Sequence, residues 1–273
     1  MAAKVSGLDM TMVTNKEISS DAITVSLVSH GHGSMVAEVL GDLATMTEVA
    51  RIVLTLNIPE PLPTVPAALQ HKLRVIENRR PQGFAANHNA AFMHCETRYF
   101  CVLNPDIRMR QNPFPRLVDA LTACNAALVA PLAVNSADVV EDSMRFFPTP
   151  FRLLKKALGL SRGSYQVRLG DPEFATDWIA GMCLLFLTAA FRELGGFDEG
   201  YFLYYEDVDI CARAWRQGMS VIACPSVAVV HDAQRTSHRN LKFLRWHLSS
   251  MLRFFRKHYG RLPDSKADLI EAE

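Results

Sequence analysis

Five acids, Asp198, Glu199, Glu206, Asp207 and Asp209, stand among Phe197, Tyr201, Phe202, Tyr204 and Tyr205 in the stretch FDEGYFLYYEDVDICARAWRQG (197–218). Carboxylates repel one another and prefer water, whereas aromatic rings prefer to leave it. Together they make sense if rings limit water around one acid and raise its pKa into the range of a general base. Flat rings also suit the apolar face of a sugar whose hydroxyl that base would deprotonate. If 206–217 is helical, Glu206 and Asp209 share a face at i and i+3, while Asp207 points elsewhere. Acids in a first turn also suit the helix dipole, so the charge cluster has a purely structural reading too.

A second constellation is VLNPDIRM (102–109), with Asn104 and Asp106 two residues apart. On an extended strand they face the same way, and an amide oxygen with a carboxylate suits a hard cation such as Mg²⁺ or Mn²⁺. The same N-P-D also reads as a turn with Pro at its second position.

The elements that must position these residues follow from pattern. The runs 23–30, 51–57, 72–78, 98–106 and 126–132 read as strands, rich in β-branched and apolar residues. Between them, 35–46 (with Ser34 as its cap), 84–95 and 112–124 (opened by Pro113) read as helices. Such alternation indicates a parallel, doubly wound sheet, in which ligands bind outside the carboxyl ends of the strands. Those ends carry His30, Asn57, Asn78 and Asn104–Asp106. Beyond them, 144–174 mixes Pro, Gly and basic residues, and reads as a mobile excursion around a short basic helix. The apolar run 178–191 is shorter than the ~20 residues of a membrane-spanning helix and reads as buried core. A helix over 206–217 stops at Gly218, and SVIACPSVAVVHD (220–232) reads as two short strands ending at His231.

The tail 240–262 carries Lys242, Arg245, Arg253, Arg256, Lys257 and Arg261 and no acid. Leu241, Leu244, Leu248, Leu252 and Phe255 recur at spacings of 3 and 4, an amphipathic helical pattern. It reads either as a helix packed on the domain with its cations in solvent, or as a surface-seeking helix that meets anionic lipid headgroups.

Composition narrows the function. The 273 residues hold 29 basic and 28 acidic side chains, so no global field attracts nucleic acid. The six cysteines lack any C-x-x-C pair and read as reduced core residues of a cytosolic protein. The N-terminus lacks a signal peptide's apolar run. The expected location is cytoplasmic, or peripheral at the inner face of the cytoplasmic membrane; the sequence sets no oligomeric state.

In order, VSLVSHGHG, ENRRPQGFAANHNAAF, LNPDI, DWIAGMCLLF, GGFDEGYFLYYEDVDICARAWRQG and VAVVHDAQRTS resemble the motifs of family 2 glycosyltransferases of the GT-A fold. The resemblance runs over about residues 23–235, and is strongest to the bacterial rhamnosyltransferase-like branch of cell-surface polysaccharide synthesis. It implies an α/β, Rossmann-like, mostly parallel sheet flanked by helices. A flexible segment 1–22 would precede the GT-A domain (23–235), and a C-terminal basic amphipathic helix and tail (236–273) would follow. Asp106 would bind a Mg²⁺ or Mn²⁺ that bridges the donor diphosphate, with Asn104 in the place of the first acid of a D-x-D motif. His231 would complete the metal or diphosphate site. Asp207 would be the catalytic base and Glu206 its neighbour. Gly83, Phe84 and Asn87 would shape the nucleotide-sugar pocket. Trp178, Gly181 and Tyr204 would meet the acceptor.

Two departures stand out. TLNIPEP puts Leu56 before Asn57 where the family usually has an Asp-Asn-type pair for the nucleoside. SHGHG replaces a T-Y-N-type end of strand one, so His30 and His32 are either substitute polar contacts to the donor or surface residues. The implied reaction is a single inverting displacement. It moves a sugar from a nucleotide-sugar donor, dTDP-rhamnose being favoured, to a hydroxyl of a cell-surface polysaccharide or lipid-linked saccharide. A nucleotidyltransferase would need a basic Gly-rich loop after strand one, and SHGHGS has no Lys or Arg. A non-catalytic sugar-binding relative stays open because of the altered strand ends.

Overall fold

A computed structural model describes residues 21–231 and 241–264. Most of the expected N-terminal segment, residues 232–240 (with 232–237 of the VAVVHDAQRTS motif) and the end of the tail lie outside the described residues. The strands are β1 (Ile23–Ser29), β2 (Val49–Leu56), β3 (Leu73–Glu77), β4 (Tyr99–Leu103), β5 (Ile107–Arg108), β6 (Ala126–Val134), β7 (Met144–Arg145), β8 (Phe174–Ala175), β9 (Trp178–Ile179), β10 (Cys183–Leu187) and β11 (Ser220–His231). The helices are α1 (Gly33–Leu43), α2 (Phe84–Phe92), α3 (Phe114–Ala123), α4 (Pro150–Ala157), α5 (Thr188–Glu193), α6 (Glu206–Arg216) and α7 (Leu241–His258).

The main sheet runs β3-β2-β1-β4-β10-β6-β11-β5, with β8 pairing onto β11. β1 to β4 form the expected parallel half, and β6 and β11 pair in parallel. Between these halves β10 runs antiparallel to both β4 and β6, so the sheet is mixed. Along β4, Cys101 and Leu103 join the core on one face and Phe100 and Val102 the core on the other, the alternation a pleated strand imposes. On the first face α1 lays down Val36, Val39, Leu40 and Leu43, spaced as one helical stripe. On the second face α6 and α7 contribute Val208, Cys211 and Phe254 to an aromatic cluster with Phe186 and Phe191.

Several local expectations change. α1 begins at Gly33 with His32 at its N-cap and no side-chain cap bond, so Ser34 is not the cap. The run 178–191 divides into β9, a turn, β10 and α5; its apolar character reflects burial of β10 between two neighbours. Residues 220–231 form one strand, not two, with a register shift between Cys224 and Ala228. Pro225 lies in that shift, where a residue with no N–H is tolerated. All six cysteines are free, and only Cys124 is exposed.

α7 packs on the domain, but not by its leucine stripe. Leu244, Leu248 and Leu252 are exposed, whereas Phe254 and His258 are buried. Acids on the domain decide the orientation. Fully buried Asp209 receives Arg213 Nε at 2.7 Å, Lys257 Nζ at 2.7 Å and His258 Nε2 at 2.8 Å. Asp198 receives Arg253 and Lys257 at 2.9 and 2.7 Å. Arg253 and Lys257 must therefore face the domain, which turns the leucines out. Burial would raise the Asp209 carboxyl, but His258, Arg213 and Lys257 outweigh it and hold it well below the usual carboxylate range. A depressed folded pKa stabilises the fold above the unfolded carboxylate pKa, and that stabilisation is lost as pH falls through the folded value. Asp209→Ala, which removes the carboxylate shared by Arg213, Lys257 and His258, is expected to cost about 3–5 kcal/mol, read from urea unfolding at neutral pH, with a smaller deficit at strongly acidic pH.

Candidate active site

The site is built around the start of α6. Tyr204 and Tyr205, just before it, both have left-handed backbone, with φ of 70° and 68°. Non-glycine residues avoid this region, and each instance costs of order 1–3 kcal/mol. α7 holds the strained pair in place. Tyr205 packs on Phe254 and His247, and Phe202 stacks on Trp246 with centroids 4.6 Å apart. Ser250 Oγ donates to the Leu203 carbonyl at 2.9 Å. The tyrosine pair sets the direction in which α6 leaves, and so where its first acids point.

Those acids have different fates. Asp207 Oδ2 accepts the Gly181 N–H at 3.0 Å and its Oδ1 accepts the Val208 N–H at 2.8 Å. Burial raises its pKa and these N–H groups partly oppose the rise. Glu206 is buried, its Oε2 has no hydrogen-bond partner, and burial followed by the field of Asp207 raises it well above the usual range. Glu206 is therefore the protonated member of the pair, and Asp207, with two N–H donors, carries the charge. Asp209 points away to Arg213, Lys257 and His258, while Glu206 and Asp207 line one cavity, so the face expected to be shared by Glu206 and Asp209 is not kept at this helix start.

Gly181 and Met182 join this acid to the end of β4. While the Gly181 N–H reaches Asp207, the neighbouring Met182 carbonyl accepts the Asn104 N–H at 2.9 Å. Just beyond, Asp106 Oδ2 lies 3.3 Å from His231 Nε2, and His231 Nδ1 lies 2.5 Å from Glu141 Oε2. Burial alone would lower the imidazole, but Asp106 and Glu141 outweigh it and raise His231 to about 9. Asp106 Oδ1 is buried without a partner. An orphaned carboxylate oxygen fits a divalent cation that draws its other ligands from water and phosphate oxygens. Among the described residues no group of three or more His, Cys, Asp or Glu is arranged to hold a metal by itself.

The residues expected at the donor nucleotide form a neighbouring network. Asn57 Nδ2 contacts His30 Nδ1 at 3.2 Å and donates to the Gln82 carbonyl at 3.0 Å, and Asn78 Nδ2 donates to both Asn57 Oδ1 and Asn87 Oδ1. His30 is exposed and His32 half-buried, with its Nδ1 accepting the His30 N–H. The amides of Asn57 and Asn87 thus tie the ends of β2 and β3 to the start of α2. Gly83 is required by a close approach: a Cβ there would lie 2.5 Å from the Phe202 carbonyl oxygen. The next N–H, of Phe84, donates to that same carbonyl at 3.0 Å. The Phe84 ring lies against Gly181, where a Cβ would sit 3.3 Å from it and 3.7 Å from Asp207 Cβ.

On the other side of Asp207 a cavity of about 450 Å³ is lined by Trp178, Tyr204, Tyr205, Glu206 and Asp207, among others. Trp178 is fixed by its indole N–H, which donates to the Phe146 carbonyl at 2.9 Å. Glu141, Gln82 and the cationic residues of 145–156 were not singled out from sequence. Glu141 lies 90 residues from His231, and the basic residues of 144–174 carry no motif.

A family profile described as "Glycosyl transferase family 2" matches residues 57–175. The chain is similar to rhamnosyltransferase WbbL of Escherichia coli, 27% identical over 85% of this chain and 92% of the relative. It is also similar to the N-acetylglucosaminyl-diphospho-decaprenol L-rhamnosyltransferase of Mycobacterium tuberculosis, 30% identical over 51% of this chain and 48% of the relative. Among solved structures, GalNAc-T7 with UDP, GalNAc and Mn²⁺ superposes with a TM-score of 0.58 at 17% identity, covering 77% of this chain and 43% of that one. The mannosyltransferase PcManGT of Pyrobaculum calidifontis, in complex with GDP-Man and Mn²⁺, gives 0.57 at 16% identity, covering 85% and 64%. Both structural likenesses bear on the fold alone. Gly83→Ala, which drives a methyl into the Phe202 backbone, is expected to destabilise the protein by about 1–3 kcal/mol, seen as a lower thermal midpoint; an unchanged midpoint would show that the 202 loop yields freely.

Proposed function

We propose that this chain is a family 2 glycosyltransferase of the rhamnosyltransferase-like kind, to whose members it is similar, an inverting enzyme that moves L-rhamnose from dTDP-rhamnose to a lipid-linked or cell-surface saccharide. The observation that carries the reading is Asp207. It is a charged, partly desolvated carboxylate on an aromatic-lined cavity, joined by Gly181 and Met182 to the strand end that bears Asn104 and Asp106. The acceptor hydroxyl oxygen attacks the anomeric carbon as the bond to the diphosphate oxygen breaks. Its proton passes to Asp207, and the departing diphosphate keeps the bonding electron pair. Protonated Glu206 leaves a single negative charge on the pair, and the Gly181 N–H orients the oxygen that carries it. Asp106 would hold Mg²⁺ or Mn²⁺, which when bound supplies positive charge to the leaving diphosphate, and His231, held between Asp106 and Glu141, would place its own positive charge beside it. Trp178 and Tyr204 give the acceptor sugar its walls. Gly83, Phe84 and the Asn57–Asn87 network shape the donor side, with His30 at its rim.

Peripheral membrane contact belongs to the same proposal. Among the described residues no helix is long and apolar enough to cross a membrane. Two amphipathic helices instead expose apolar rows: Leu244, Leu248 and Leu252 on α7, and Phe151 and Leu154 on α4, continued by Leu158. α4 has no buried residue and ends in Lys155 and Lys156. Apolar rows beside cations suit an anionic bilayer surface, and a lipid-linked acceptor would be met there.

Asp207→Asn is expected to slow transfer by about 10²–10⁴-fold while nucleotide affinity is retained. Asp106→Asn should instead weaken Mn²⁺-dependent nucleotide binding in titration calorimetry. Because Asp207 must be unprotonated and its pKa is raised, the acid limb of the rate profile should lie above the ordinary carboxylate range. Near-normal turnover by Asp207→Asn would remove it as the base. For the surface, Leu248→Glu with Leu154→Glu should abolish co-sedimentation with phosphatidylglycerol vesicles, and binding that survives the double change would place the contact elsewhere.

A further inference from the structure

The cavity beside Asp207 is also lined by Arg145, Arg152, Lys156 and His247, four groups that the chemistry described so far does not use. They come from three separate elements, β7, α4 and α7, so no single charged helix face explains their meeting. Two are steered from behind the wall. Arg145 Nε lies 3.2 Å from Asp142, with the guanidinium 5.2 Å above the Trp178 ring. Arg152 Nη1 lies 3.3 Å from fully buried Asp177, with its guanidinium 4.9 Å from the Phe146 ring. Asp177 is further engaged by the Phe147 N–H and the Tyr165 hydroxyl, each at 2.8 Å, and neither Asp142 nor Asp177 lines the cavity.

Two of the four are disfavoured as cations. Lys156 is lowered by burial and then by Arg145, which Asp142 only offsets, and His247 is lowered by burial, Arg145 and Lys156. Like charges gathered around a concave space are stabilised by an anion in it. Guanidinium groups match phosphate oxygens in fork geometry. At about 450 Å³ the space has the scale of a small-ligand pocket.

We propose that Arg145, Arg152, Lys156 and His247 form a subsite for a phosphate or diphosphate group carried by the acceptor, next to the sugar hydroxyl presented to Asp207. The word acceptor rests on the glycosyltransferase reading; the phosphate chemistry does not. A donor diphosphate has the same chemistry, but Asn104, Asp106 and His231, assigned to the donor side, do not line this cavity. Trp178, Tyr204 and Tyr205 beside the cations suit a sugar attached to the phosphate.

The test uses the full chain and two probes, octyl diphosphate and a nucleoside diphosphate with Mn²⁺, followed by titration calorimetry. Arg145→Gln and Lys156→Gln are each expected to weaken octyl diphosphate binding by about tenfold or more, with Lys156→Arg restoring it, while nucleoside diphosphate affinity stays unchanged. In turnover Lys156→Gln should raise KM for a diphosphate-linked acceptor while leaving KM for the donor, and KM for the same saccharide as a neutral octyl glycoside, unchanged. Undiminished octyl diphosphate binding by both Gln variants would overturn the subsite. Loss of nucleoside diphosphate affinity instead would assign these cations to the donor and overturn the acceptor assignment. Absence of sugar transfer by the wild type from every nucleotide sugar would sink the glycosyltransferase reading alone, because the calorimetric arm needs no turnover. Melting curves of each variant separate lost binding from lost fold.

Discussion

Three carboxylates at the start of one helix would ordinarily push apart, and the architecture follows from how that repulsion is relieved. Each acid uses a different remedy. Asp209 gathers Arg213, Lys257 and His258, burial and the field of Asp207 push Glu206 toward its neutral form, and Asp207 is held by two backbone N–H donors. The helix N-terminus favours negative charge in general, but three acids exceed what a dipole can offset. The remedies are therefore supplied by distant parts of the chain. α7 must bring its cations inward for Asp209, and the turn at Gly181 must lie against α6 for Asp207. A charge problem local to four residues thereby fixes a helix that begins more than thirty residues later.

The antiparallel strand β10 makes the second of these contacts possible. A strand running against its neighbours begins at the sheet edge where β4 finishes, so the turn before β10 arrives beside Asn104 without any added loop. Gly181 can then face α6 while Met182 faces β4. Gly83 and Gly181 sit where backbone or ring comes close to the space a side chain would need. Together they let α2, the 202 loop and α6 converge on one point.

Much of this was legible in the sequence, and the reasons for success and failure are physical. β-branched runs mark β1 to β4 because buried strands select such residues, whereas helical spacing groups Glu206 with Asp209 and the structure instead sets Glu206 beside Asp207 on the cavity. The motif order along the chain points to the fold, and the comparisons bear this out. The direction of β10 was not legible, since a buried strand reads alike in either direction. Nor were the left-handed tyrosines, because that backbone is usually betrayed by Gly or Asn. The inward cations of α7 were hidden because leucine spacing describes a stripe without saying what covers it. Glu141 beside His231 is a contact across 90 residues and leaves no local trace.

One further feature bears on how such a chain can change. Met144 and Arg145 pair with Ile179 and Trp178, so the whole excursion between them is clasped at its two ends by a short ribbon. Inside the clasp its length and composition can vary like an exchangeable cassette, while Gly181, Asp207 and the β4 end keep their places. On the proposed reading, Arg152 and Lys156 inside the clasp would meet the incoming molecule while Asp207 stands outside it, so part of partner preference could drift without touching the base.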